Sequence, residues 1–341
     1  MLPPDQVGYH LLSNAARPPP TAPMANHRSH TPHAPEHRPT LWGIDLGGTK
    51  IEGVIVDATD PTTVIARVRV PTESDRGYEH IVGNVAAVVT ELEGRAGLAR
   101  PRVIGIGTPG TTEPSTGAIK NSNTVCLNGR PLAADLTAAL GSQTRLTNDA
   151  NCFALAEATL GAAHGASVMV GLILGTGVGS GIVVDGRVLH GLHGIAGEWG
   201  HNPMRDEATP CYCGRFGCVE TVISGPALER FFESRAGQRA TLVEIDRRAS
   251  NGDTAATETI NRLVAKFGEA IAPVINILDP DAIVIGGGVG NVSRLYSDAT
   301  RAAIVRHLFN GELRTPLLRP TLGDSAGVFG AALLGRSPLS S

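Results

Sequence analysis

Between residues 41 and 57 the run LWGIDLGGTKIEGVIVD places β-branched and other apolar residues on both sides of a Gly47-Gly48 pair. That pattern predicts strand, tight turn and strand. A third strand is predicted at 64–70. Ile81, Val85, Val88 and Leu92 then recur at helical spacing and predict an amphipathic helix over 77–96. RVIGIG reads as a buried strand. The stretch 108–130, rich in Gly, Pro, Ser, Thr and Asn, is expected to be a long functional loop that buries no core face. RLTNDANCFALAEATLG joins a short strand to a helix that opens at Asn148 and Asp149, both good capping residues, with Ala154, Leu155 and Ala158 on its apolar face.

The first hairpin has a distant echo. IDLGGTKIEGVIVD (44–57) aligns with LILGTGVGSGIVVD (172–185), and Gly47, Gly53 and Asp57 fall at a constant offset of 128 residues from Gly175, Gly181 and Asp185. A duplicated strand-turn-strand core, one copy in each of two lobes, is the expected architecture. Residues 1–39 hold nine of the 23 prolines and no apolar period, so a disordered extension is expected there. A small α/β lobe is then expected over 40–148 plus 322–341, and a large lobe with a metal loop over 149–321.

Composition narrows the class. With 42% hydrophobic and 18% charged residues and a formal charge of -3, the chain reads as a soluble globular protein rather than a nucleic-acid binder. No apolar run is long enough to cross a membrane and no signal-peptide core is visible, which points to the cytoplasm. Three of the five cysteines lie within 211–218, a spacing suited to reduced thiols on a metal rather than to a disulfide framework.

Two Gly-rich turns facing one cleft suit a polyphosphate, because backbone N–H groups there approach oxygens without side-chain obstruction. Gly47, Gly48, Thr49 and Lys50 in one turn, and Gly175, Thr176 and Gly177 in the other, are therefore candidate nucleotide contacts. Asp45 occurs in the first copy only, where the second has Ile173. A carboxylate beside phosphates requires a cation between them, so Mg²⁺ is expected with ATP. Gly105-Ile-Gly107-Thr-Pro-Gly110 matches the dinucleotide fingerprint by spacing alone, since Pro109 and Pro114 block the helix that would bind a pyrophosphate. No G-x-x-x-x-G-K-[ST] motif occurs. Asp149, at a strand end, is either a helix cap or the base that takes a proton from an attacking alcohol; the two roles are compatible. His201 with Cys211, Cys213 and Cys218 supplies the four ligands of a closed structural zinc site, while Cys126 and Cys152 stand apart.

Taken together, Asp45-Leu46-Gly47-Gly48-Thr49-Lys50, Gly107-Thr108-Pro109-Gly110, Asn148-Asp149, Gly175-Thr176-Gly177-Val178-Gly179, Gly197-Glu198-Trp199-Gly200-His201 and CYCGRFGCVETVISG resemble the repressor/open-reading-frame/kinase (ROK) family over about 43–335. That resemblance implies the two-lobed α/β actin-like fold of sugar kinases, actin and Hsp70. It implies Asp149 as catalytic base, with Gly110, Asn123, Asn148, Glu198, His201 and Glu220 around the sugar and Gly286, Gly287 and Gly288 beside the adenosine. His201 would hold zinc through one nitrogen and sugar through the other. A homodimer is also implied. KNSNTVCLNGRPL, Asn202-Pro203, CYCG and NILDPDAIVIGGG look most like bacterial fructokinases, so fructose 6-phosphate is the expected product, with N-acetylglucosamine kinase and glucokinase as alternatives. Cys126 stands where that branch often carries Trp, and a smaller side chain is expected to widen the pocket toward a 2-acetamido group. A sugar-responsive repressor, the alternative from another class, would need a helix-turn-helix unit, for which forty proline-broken residues offer no room. A non-catalytic sugar sensor would lack the base that Asp149 supplies.

Overall fold

A computed structural model describes residues 39–336. Apart from Pro39, the expected N-terminal extension lies outside the described residues, and so do 337–341 of the expected small lobe. The first half of the chain lays down β1 (Thr40–Leu46), β2 (Lys50–Asp57), β3 (Val64–Pro71), α1 (Tyr78–Ala96), β4 (Val103–Thr108), the small hairpin β5 (Thr111–Thr112) and β6 (Ile119–Lys120), α2 (Leu132–Leu140) and β7 (Gln143–Asn148). The second half follows with α3 (Asp149–Thr159), β8 (Val168–Leu174), β9 (Val178–Val184), β10 (Arg187–Val188), α4 (Val219–Ile223), α5 (Gly225–Ala236), α6 (Leu242–Ser250), α7 (Thr254–Leu278), β11 (Ala282–Gly286), α8 (Gly287–Gly290), α9 (Asp298–Val305), β12 (Leu317–Leu318) and α10 (Ala326–Leu334).

Two five-stranded sheets result, ordered β3-β2-β1-β4-β7 and β10-β9-β8-β11-β12. Each has three antiparallel strands on one side and two strands added in parallel on the other, so the topology is duplicated. The glycine match between the copies is not. Leu46 pairs with Ile51, leaving 47–50 in the first turn, whereas Leu174 pairs with Val178, leaving 175–177 and a turn one residue shorter. Side chains alternate between faces along a strand, so one residue of difference turns the second strand over. A Cβ at Gly53 would meet Val88 and Leu92 of α1, but one at Gly181 would meet Ala150 and Ala154 of α3.

The sheets are joined by α3 and α10, which pack on each other. Glycines on the strands let both helices approach: a Cβ at Gly105 would lie 1.8 Å from the Ala331 carbonyl oxygen of α10, and one at Gly171 would lie 2.8 Å from Ala154 of α3. Every residue of α3 from Ala150 to Ala158 is buried, rather than one face only. Glu157 is buried there too, its carboxylate accepting N–H bonds from Ala162, Thr321 and Leu322. The described residues fall in one unit. At the boundaries expected at 148/149 and 321/322, the chain leaves β7 of the first sheet for α3, and follows β12 of the second sheet with α10. Overpacking at the α10 contact predicts that Gly105→Ala lowers the unfolding free energy by about 1–3 kcal/mol. A urea titration with an unshifted midpoint would remove close approach as the reason for glycine at this position.

The loop expectation for 108–130 needs correction. Ile119 and Leu127 are fully buried in the core of the first sheet with Trp42, Ile44 and Leu132. The apolar residues are too widely spaced to show a period, and the β5–β6 hairpin brings them inward.

Candidate active site

The chain places Asn148 and Asp149 at the carboxyl ends of parallel strands β4 and β7, the edge where open α/β sheets bind ligands. Asn148 is the cap of α3, its side chain accepting the Asn151 N–H at 2.8 Å. Asp149 is thereby released from capping, and its carboxyl accepts the N–H of Ala150 at 2.8 Å. Its residue stays open to the cleft while protein crowds its carboxyl. Burial raises that carboxyl above the usual range, opposed by the Ala150 N–H.

In front of Asp149 lies a cavity of about 220 Å³. It brings together Gly110, Asn123, Asn148, Asp149, Glu198, His201 and Glu220 with Gly175, Thr176 and Gly177 of the β8–β9 turn. Trp199 fixes the segment carrying Glu198 and His201 by donating its indole N–H to the Ala270 carbonyl at 2.8 Å. Glu220 ties α4 to the turn by accepting the Val178 N–H at 2.9 Å, and a Cβ at Gly177 would lie 2.8 Å from the same carboxylate. Burial raises the Glu198 carboxyl, and His201, 4.0 Å away, pulls it back.

Two expected groups do not line this cavity. The β1–β2 turn, with Gly47, Gly48, Thr49 and Lys50, lies apart from it, braced by Thr72, whose hydroxyl donates to the Gly47 carbonyl and whose N–H donates to that of Thr49. Lys50 reaches Glu52 at 3.5 Å. Gly286, Gly287 and Gly288 also lie outside; a Cβ at Gly287, where φ is 81°, would press on Leu174 at the end of β8. Asp45 sits deeper, against Gly107, Cys152 and Gly327. Burial, then the Asp149 carboxylate, pushes its carboxyl up to about 6. The folded protein therefore binds that proton more tightly than the unfolded chain, and stability rises as pH falls through 6 toward the ordinary carboxylate value. Asp45→Asn is expected to raise the thermal midpoint of the nucleotide- and magnesium-free protein near neutral pH and to flatten this dependence. Superimposable thermal scans of the two proteins at about pH 7.5 and about pH 5.5 would contradict it.

The ligand atoms of His201, Cys211, Cys213 and Cys218 all lie within 4.8 Å of one another. His201 turns Nδ1 toward Cys211 Sγ at 3.6 Å and Nε2 toward the cavity side, where the Tyr212 hydroxyl meets it at 3.0 Å. Tyr212 lines the cavity as well and escaped the sequence reading, although its place between two clustered cysteines was a signal. Cys126 does not stand where its motif predicts. It is half-buried against the Ser74 carbonyl and lines neither this cavity nor its neighbour, so its size does not set the pocket. Cys152, read as remote, lies fully buried beneath the site.

A family model described as the ROK family matches residues 41–337. The chain belongs to the ROK family. Its fold is the actin-like ATPase fold of ROK kinases, and the chain is a sugar kinase of that family. The ROK hexokinase of Thermus thermophilus is 35% identical, superposes with a TM-score of 0.78, and is matched over 87% of this chain and 98% of that one. N-acetyl-D-glucosamine kinase of Pectobacterium atrosepticum is 34% identical over 303 residues, 86% of this chain and 98% of that one. N-acetylgalactosamine kinase AgaK of Shewanella sp. (strain ANA-3) is 34% identical over 302 residues, 86% of this chain and 96% of that one. These relatives do not single out fructose; they favour the N-acetylglucosamine alternative. Among the described residues no helix is long and apolar enough to cross a membrane.

Proposed function

We propose that this protein transfers the γ-phosphoryl group of MgATP to the 6-hydroxyl of a free N-acetylhexosamine, a reaction of the cytoplasm. One observation carries the reading: a raised carboxyl at Asp149 shares one cavity with Glu198, His201 and Glu220. Asp149 accepts the hydroxyl proton as the oxygen attacks phosphorus, and a base closer to neutrality does this more effectively. The N–H groups of the Gly175–Gly177 turn would stabilise the phosphoryl oxygens, and the turn after β1 would take the rest of the triphosphate, with Asp45 as the residue that would hold its Mg²⁺. Binding both substrates in line supplies most of the remaining acceleration.

The metal loop fits zinc. Four-coordinate zinc separates thiolate sulfurs by about 3.8 Å and a sulfur from an imidazole nitrogen by about 3.6 Å. Here Cys213 and Cys218 sulfurs are 3.6 Å apart, and Cys211 Sγ is 3.6 Å from His201 Nδ1. Held through Nδ1, the His201 ring presents Nε2 toward the sugar in a fixed orientation.

The test is ADP release measured across N-acetylglucosamine, N-acetylgalactosamine, glucose, mannose and fructose. An N-acetylhexosamine should exceed fructose in kcat/KM by about tenfold or more, because a buried group left without its partner costs about 1–3 kcal/mol. A higher value for fructose would overturn the reading.

A further inference from the structure

A second cavity of about 1150 Å³ adjoins the first. The two share Asn121, Ser180, Glu198, His201 and Tyr212, whereas Asp149 and the turn glycines line the small one alone. The large cavity therefore opens off the end of the sugar site away from Asp149. Its own walls set Ile182, Ile195, Trp199 and Val274 beside the polar groups of Lys120 and Asn128. Such a mixture suits a short acyl chain carried on an amide. By itself the small cavity falls below the usual ligand-site range of about 300–1,000 Å³, and it needs its neighbour to hold a substituted sugar.

Tyr212 stands on the boundary. Its ring meets the His201 ring edge-on, with centroids 5.2 Å apart at 88°, and its hydroxyl lies on Nε2. Flanked by Cys211 and Cys213, its backbone is part of the metal loop, yet the residue is 75% exposed and its side chain has room to swing.

From these placements we infer that Tyr212 gates an acyl subsite: the large cavity receives the 2-acylamino group of the sugar, and the Tyr212 ring limits how long that acyl chain can be. The inference rests on the N-acetylhexosamine reading. In a pyranose, C2 lies across the ring from C5, the carbon bearing the 6-hydroxymethyl group. With the 6-hydroxyl at Asp149, the 2-substituent must leave from the opposite end, where Glu198, His201 and Tyr212 stand and the second cavity begins. Bond geometry in the substrate thus directs the acyl chain past Tyr212.

The test measures kcat/KM on glucose and on N-acetyl-, N-propanoyl- and N-butanoylglucosamine. Tyr212→Ala should raise the N-butanoyl to N-acetyl ratio by about tenfold or more, the usual weight of a methylene in a confined site. As a second variant, Ile195→Trp fills the far cavity and should lower the N-acetyl to glucose ratio by about tenfold. Metal content and thermal midpoint are recorded for each protein. If the unaltered protein phosphorylates glucose but no acylated glucosamine, the aminosugar reading falls and the gate with it. If it phosphorylates N-acetylglucosamine while a folded Tyr212→Ala keeps the original chain-length profile, the gate alone falls. Should Tyr212→Ala not fold, an unchanged ratio in Ile195→Trp overturns the acyl subsite.

Discussion

Replacing Asp149 with Asn is expected to lower kcat by roughly 10²-fold or more, the ordinary contribution of a general base, while sugar affinity changes little. The structure explains why the two quantities should separate. Asn148, not Asp149, caps α3, so the helix keeps its start. An Asn side-chain oxygen can still accept the Ala150 N–H that Asp149 Oδ1 accepts now. The substitution is nearly isosteric, and removing a negative charge that its crowded surroundings disfavour does not threaten the fold. What disappears is the ability to take a proton. Steady-state turnover checks the prediction, with calorimetric titration of the sugar and a thermal scan as controls. Turnover close to that of the unaltered protein would remove Asp149 as the base and shift attention to Glu198.

Cys213→Ser is expected to abolish stoichiometric metal binding and to lower kcat/KM for the sugar by about 10- to 100-fold, the usual cost of losing support around a metal-held ligand. The thiol is one of four donors within 4.8 Å, and three do not close a structural site. Without it the loop has little else to fold around, since Cys211, Cys213 and Cys218 are joined by short turns and Phe216 projects outward. Metal binding and local folding are expected to be one equilibrium at such a site. His201 then loses its fixed orientation, and Glu198, 4.0 Å from it, loses its partner. Metal analysis of freshly purified protein should find about one zinc per chain in the unaltered protein and none in the variant. Stripping the unaltered protein with a chelator should reproduce the kinetic defect; full activity after stripping would show that the loop does not position His201.

Several features were legible in the chain because they depend on neighbours in sequence. The hairpins around Gly47 and Gly175 follow from apolar alternation around short glycine turns, and α1 follows from the spacing of Ile81, Val85, Val88 and Leu92. The start of α3 follows from Asn148, whose side chain finds an N–H three residues on. His201, Cys211, Cys213 and Cys218 are close enough along the chain for spacing to indicate one cluster.

Long-range pairing decided the rest. The repeat shared by the two hairpins hides a turn one residue shorter in the second, so matched Gly53 and Gly181 face different helices. Only strand register reveals that, because alternation reads the same whichever face is buried. Ile119 and Leu127 lie in a stretch with no apolar period and became core through a hairpin closed at Thr111 and Lys120. Cys126 and Tyr212 show the same limit from opposite sides. Alignment within a motif put the first near the sugar and overlooked the second, and the path of the loop reversed both. Chain-local chemistry thus determined the hairpins, the helix start at the candidate base and the His/Cys cluster, whereas the cavity walls were decided by which distant segments pack together, a sum of many weak contacts that no short stretch of sequence contains.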